Sequence, residues 1–182
     1  MGIRRAVVGD AVAIAGVHVR SWQVGYRGRL PDAVLDSLAP DQRARRWRDT
    51  LRAADRPGLG TLVATGSDGH HVVGFAHLTP SRDADPDPSD VGEIASFYVD
   101  PQCWRLGVGR ELVSANLVAL TGAGCTTGTL RVLATNARAI GFHHATGWSP
   151  DGGTKPGTMA GAPVEEVRYT RPLHPADGSA SP

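Results

Sequence analysis

FYVDPQCWRLGVGRELV, residues 97–113, passes from a β-rich run through a glycine-containing turn into an apolar-periodic stretch. Phe97, Tyr98 and Val99 close a strand that begins at Glu93, and the spacing of apolar residues predicts a helix from about Gly109 to Leu120. Gly107 and Gly109 remove side chains where backbone N–H groups have to approach a ligand. First-turn amides of a helix lack intrahelical acceptors and sit at the positive end of the helix dipole, so such a junction favours an anion and can bind a pyrophosphate without a metal. Arg105 and Arg110 add positive charge to it.

Two other phosphate loops are excluded by their own residue requirements. A Walker A loop needs a GK[ST] ending, and a dinucleotide fingerprint needs GxGxxG early in a βαβ unit; neither pattern occurs here.

Upstream, Ile3 to Val8 reads as a first strand, and Asp10 stands at an N-cap position before the helical spacing of AVAIAGVHVRSW. Pro31 suits the first turn of a second helix with an apolar stripe of Val34, Leu35 and Leu38, and Pro40 interrupts it. The basic stretch RARRWR, residues 43–48, reads as a solvated helix face. Thr61 to Thr65 and Val72 to Leu78 form a hairpin around GSDGHH, and SRDADPDPSD, residues 81–90, is an exposed acidic loop.

Downstream, Thr129 to Leu133 is strand-like, Asn136 to Thr146 a short helix with Gly147 at its C-terminal cap, and Val164 to Tyr169 a last strand. One domain over residues 1–172 is expected, with residues 173–182 a flexible tail that has little to bury.

The bulk numbers set limits. A chain of 182 residues with 41% hydrophobic and 20% charged residues is ordinary for one globular core. Lysine plus arginine number 19 against 18 acidic residues, so a net charge of +1 supplies no general attraction for nucleic acid or an anionic membrane. Cys103 and Cys125 make no metal or disulfide framework, and MGIRRAVVGD lacks the apolar core of a signal peptide. A cytoplasmic protein with reduced thiols is expected.

The strand–turn–helix stretch resembles the acetyl-CoA motif of the GNAT family of N-acetyltransferases, [QR]xxGx[GA] after the fourth strand. HVRSWQVGYRGRLPDAVL and NARAIGFHHATGW are also similar to bacterial members, so the resemblance runs from Ile3 to about Arg171. It implies an α/β fold: a mixed, mostly antiparallel sheet of six or seven strands, helices on both faces, and strands four and five splayed. The cofactor it implies is acetyl-CoA, with no metal. Its pyrophosphate would meet Trp104, Arg105, Leu106, Gly107, Val108, Gly109 and Arg110, its pantetheine arm the main chain of Phe97, Tyr98 and Val99, and Asn136 would cap a helix or contact coenzyme A. One departure is visible: the motif's opening Gln or Arg is Trp104 here, with Arg105 one place later.

The activity implied is acetyl transfer to a primary amine of a small molecule or peptide, by direct attack in a ternary complex. Glu93 matches the register of the glutamate base in histone-type members; a strand-initial glutamate can equally be solvated or paired. The tyrosine that protonates the thiolate in NxxAxxFYxxxGF is His143 here, an imidazole able to donate near neutrality, while water is the other proton source. His144, about 100° away on the helix, cannot face the same point. Trp22, Tyr26 and Arg27 fall where the family builds one wall of the acceptor groove, Arg27 being suited to a carboxylate; the aromatic pair can equally be core, and His18 reads as a satisfied helix residue. Dimerisation is common in the family. The loss of the tyrosine leaves a second reading, a non-catalytic acyl-CoA sensor.

Overall fold

The computed structural model describes residues 1–53, 58–84, 87, 90–159 and 161–174. The strands are β1 (Gly2–Arg5), β2 (Gly60–Thr65), β3 (Val72–Pro80), β4 (Val91–Val99), β5 (Thr127–Leu133), β6 (Ser149–Met159) and β7 (Ala162–Pro172). The helices are α1 (Ala11–Gly25), α2 (Asp32–Asp36), α3 (Pro40–Arg52), α4 (Val108–Gly122) and α5 (Ala137–Ala145). The seven strands form one sheet in the order β1-β2-β3-β4-β5-β7-β6. Every pairing is antiparallel except β4 with β5.

Strand alternation divides the core into two layers. On β2, Leu62 and Ala64 join Leu112, Leu117 and Leu120 of α4, while Val63 between them joins Ile14 and Val17 of α1 and Trp47 of α3. Helices therefore cover both faces, as the resemblance implies.

The parting of β4 and β5 determines where a ligand can enter. Their parallel register ends at Ile94 opposite Leu130, although β4 continues to Val99 and β5 to Leu133. At the same level the β3–β4 register shifts: His77 pairs with Ser96 and Leu78 with Ile94, which leaves Ala95 as the extra residue of a bulge. A bulge bends its strand and strengthens its twist, so β4 turns away from β5 beyond this point.

Several boundaries differ from expectation. Asp10 does not cap α1; it accepts from the Val7 N–H at 2.8 Å and from Arg4 at 2.7 and 2.9 Å, inside a 3₁₀ turn over Val8–Asp10 that ends the first strand early. Pro40 starts α3 rather than only ending α2, and RARRWR lies within it, with Ala44 and Trp47 buried and Arg45 and Arg46 exposed. The glycine- and proline-rich stretch 149–159, not expected as a strand, pairs along β7 because that partner supplies the ladder its composition does not favour. Of the tail, Leu173 is buried and its N–H donates to the Thr126 carbonyl at 2.8 Å; residues 175–182 lie outside the described residues. Part of the acidic loop, residues 85, 86, 88 and 89, also lies outside them.

Candidate active site

A cleft of about 730 Å³ opens where β4 and β5 separate, walled by α1 on one side and by the α4 and α5 starts on the other. Its floor is backbone. The Asp100 N–H donates to the Val73 carbonyl at 2.8 Å, and antiparallel alternation from there turns the polar groups of Tyr98 toward β3 and those of Phe97 and Val99 toward the gap. The Val99 carbonyl is already engaged, accepting from the Trp104 indole at 2.7 Å and the Ser21 hydroxyl at 3.0 Å. Of the three positions expected to meet a pantetheine arm, Phe97 offers both groups and Val99 its N–H, while Tyr98 faces away.

The glycine loop is built by backbone conformation. Arg105 has φ 66° and Gly107 φ 88°, two left-handed turns that reverse the chain before α4. The first acceptor within α4 is the Gly107 carbonyl, taken by the N–H groups of Arg110 (2.9 Å) and Glu111 (3.2 Å), so the amides of Val108 and Gly109 precede it. Arg105, Leu106 and Arg110 are exposed beside them. This fits a pyrophosphate.

Two loop residues act differently from expectation. The Trp104 N–H donates to the Pro101 carbonyl at 3.3 Å and is spent on that turn; the residue works through its indole, which braces the end of β4, and its ring carries the Arg138 guanidinium 3.3 Å above it. Gly109 is required for packing as well, since a β-carbon there would meet Phe142 at 3.0 Å.

Asn136 is buried and caps α5, accepting from the Ala139 N–H at 3.2 Å, and it lines the cleft. Glu93 lines the cleft as well, 3% exposed, but is not free. It accepts from the Arg82 backbone N–H (3.1 Å) and from Arg82 Nε (3.0 Å) and Nη2. His143 is buried beside Phe97 and Phe142, its Nδ1 has no partner, and burial, with His144 adding, lowers it to about 4. It is a neutral imidazole at neutral pH, which corrects the expectation of a ring that titrates there. His144 is exposed and faces the Tyr169 hydroxyl at 3.3 Å.

On the opposite wall Trp22 and Tyr26 meet edge to face, and the Tyr26 and Tyr98 hydroxyls lie 3.5 Å apart. Both tyrosines are pushed up by burial. Arg27 is not brought to the cleft: it is exposed and paired with Asp32 (3.1 Å) and Asp36 (2.9 Å), acids of its own neighbouring helix. His18 is half satisfied, Nδ1 accepting from the Trp47 indole at 3.2 Å and Nε2 unpartnered; burial, then Arg43, lowers it to about 3.

Among the charged cleft residues that escaped the sequence reading are Arg43, Arg82, Arg131, Arg138 and Glu166. Arg43 could have been found, because its i,i+4 relation to Trp47 puts it on the inward side of a helix otherwise solvated. Arg82 and Glu166 carry no local signal.

Among the described residues no helix is long and apolar enough to cross a membrane. Residues 20–148 match the acetyltransferase (GNAT) family. The chain is 30% identical over 149 residues to the uncharacterized N-acetyltransferase YuaI of Bacillus subtilis (strain 168), covering 82% of this chain and 79% of that protein. It is 32% identical over 155 residues to the aminoglycoside N(6')-acetyltransferase type 1 of Stenotrophomonas maltophilia, covering 80% and 84%. Its fold superposes on the PaiA N-acetyltransferase of Thermoplasma acidophilum in complex with coenzyme A at a TM-score of 0.71, with 16% identity and 94% and 98% of the two chains covered. Splayed strands, glycine loop and relatives agree, and the chain belongs to the GNAT family of N-acetyltransferases.

Proposed function

We propose that the chain transfers an acetyl group from acetyl-CoA to a primary amine by direct attack, both substrates bound together in the cleft. The observation that carries this is the stretch of β4 beyond Ile94 that has parted from β5, whose Phe97 and Val99 groups face the gap beside the turn of Arg105 and Gly107. Acetyl-CoA brings an activated thioester: the amine nitrogen bonds to the carbonyl carbon and the C–S bond breaks. The residues of the chain do the rest.

The amides of Val108 and Gly109 hold the pyrophosphate, with Arg105 and Arg110 adding charge. The Phe97 and Val99 N–H groups, which face the gap, polarise the thioester carbonyl; loss of one such donor typically costs about 10²–10³ in rate. Glu93 receives the proton of the attacking amine through water, since its oxygens are engaged by Arg82 and a relay reaches further than direct contact. His143, neutral, stabilises the departing thiolate by an N–H hydrogen bond, and the thiolate takes its proton from solvent. Asn136 orders the α5 start against the coenzyme. Trp22 and Tyr26 form the acceptor wall; Arg27 has no part in it.

Small-molecule amines suit a cleft of about 730 Å³, and an aminoglycoside N-acetyltransferase is among the relatives. The sensor reading is less well supported, since the relatives are named as N-acetyltransferases. The test is release of free thiol from acetyl-CoA with a broad amine panel, beside calorimetric titration with coenzyme A. Amine-dependent thiol release is expected; tight coenzyme binding with no release from any amine would return the sensor reading.

A further inference from the structure

Two opposite charges line the cleft without partners. Of its six arginines, Arg82 and Arg131 hold Glu93 and Asp83, and Arg105, Arg110 and Arg138 are exposed. Arg43 is the remaining one. It is half-buried, its guanidinium sits 4.9 Å over the Trp22 ring, and it has no acid partner among the described residues. Burial lowers its pKa accordingly. The ring offsets part of the cost of desolvating that charge, and an anion would supply the rest.

His18 stands in the same wall. The Trp47 indole can only donate, so His18 Nδ1 is the acceptor and the neutral ring carries its proton on Nε2. That N–H has no partner although the residue is 94% buried, its relative exposure being 6%. The ring stacks on Tyr98 at 4.6 Å, and the Tyr98 hydroxyl lies in the field of Arg43. A guanidinium, an imidazole N–H and a phenol supply donors and no fixed negative charge.

The anion is Glu166 of β7. It pairs across the ladder with Leu133 and therefore shares the sheet face of Arg131, Thr129 and Glu93. It lines the cleft, is half-buried, and makes no ion pair among the described residues, even with Lys155 opposite it on β6. Burial raises Tyr26 and Tyr98, the charge of Glu166 adds a smaller rise to each, and it is not paired with Arg43.

We infer that the acceptor is an amine that also bears an oxyacid, a carboxylate or phosphonate, with Arg43, His18 and Tyr98 taking the acid and Glu166 facing the ammonium. This rests on the acetyltransferase reading of the cleft. Such a ligand completes both unpaired charges at once, whereas a diamine would leave Arg43 facing a like charge.

The test is calorimetric titration of the protein, saturated with coenzyme A, with proteinogenic amino acids and aminophosphonates and with their carboxamide or ester counterparts. Thiol release from acetyl-CoA is then measured for every compound that binds. At least one acid is expected to bind about tenfold more tightly than its neutral counterpart. Arg43→Gln and Arg43→Met, the second keeping the aliphatic packing on Trp22, should erase that preference, and Arg43→Lys should retain part of it. Glu166→Gln should weaken both members of the pair. The inference is overturned if no acid outbinds its counterpart, if the neutral Arg43 variants keep the preference, or if diamines such as putrescine bind more tightly. Thiol release restricted to amines without an acid would sink the inference and uphold the transferase reading. An acid bound with preference but never acetylated would uphold acid recognition by Arg43 and sink both its role as acceptor and the transferase reading.

Discussion

Gly109 and Phe142 are in contact across the cleft mouth: a β-carbon on Gly109 would lie 3.0 Å from Phe142 Cζ and 3.1 Å from Cε2. The first turn of α4, whose Val108 and Gly109 amides precede its first acceptor, is thereby seated on α5, which carries His143 and is capped by Asn136. Gly109→Ala should push these helices apart, lowering stability by about 1–3 kcal/mol and weakening coenzyme A binding. Thermal melts and calorimetry read the two effects, and an unchanged affinity would disconnect the contact from the cradle.

Gly107 is open around its α-carbon but has φ 88°, so its constraint is conformational. Gly107→Ala should cost about 1–2 kcal/mol in backbone strain. Gly107→Glu adds negative charge at the anion site and should abolish measurable coenzyme A binding; undiminished affinity would refute the pyrophosphate assignment.

Trp104→Phe removes the indole hydrogen bond to Val99 and keeps a ring under Arg138. The expected loss is about 1 kcal/mol, a few-fold in coenzyme affinity, because the Ser21 hydroxyl still holds the same carbonyl. A calorimetric loss beyond a hundredfold would mean that Trp104 contacts the coenzyme itself.

Glu93→Gln should lower turnover at neutral pH more than it raises the acceptor KM, since it removes a proton acceptor and leaves the cleft shape. Arg82→Ala strips Glu93 of the guanidinium that fixes its carboxylate and should also lower turnover. An unchanged rate in both variants would leave water as the only base.

His18 and His143 are held neutral by burial, near 3 and 4 against an ordinary 6.5. As pH falls below about 6.5 the unfolded chain binds protons first, so stability is full above that value, declines toward pH 3–4 and levels below it. Each ring should account for a loss on the order of 3 kcal/mol or more. His143→Gln should flatten its share of the acid limb in thermal melts taken from pH 7 to 4. It should also leave the pH–rate profile near 6.5 without a lost inflection; an inflection present in the parent and missing in the variant would show that His143 titrates during turnover.

Much of the site is written locally. The strand, the two left-handed positions and the apolar spacing of α4 lie within residues 97–113, and helix and turn preferences act over that range. Asn136 as the α5 cap is equally local, its side chain closing a bond three residues on. β6 was hidden because its glycines and prolines carry no strand preference and its ladder is supplied by β7.

The sequence by itself determined the glycine loop, the helices and every strand but β6, and the family they spell. Only the tertiary structure decided which charges are free to work. Glu93 meets Arg82 across the β3–β4 connection, Arg27 is drawn off by Asp32 and Asp36, and Arg43 and Glu166 line the cleft with no ion pair among the described residues. The physical reason is range: backbone conformation is set by neighbours a few residues away, whereas the state of a charge depends on burial and on partners brought from distant segments.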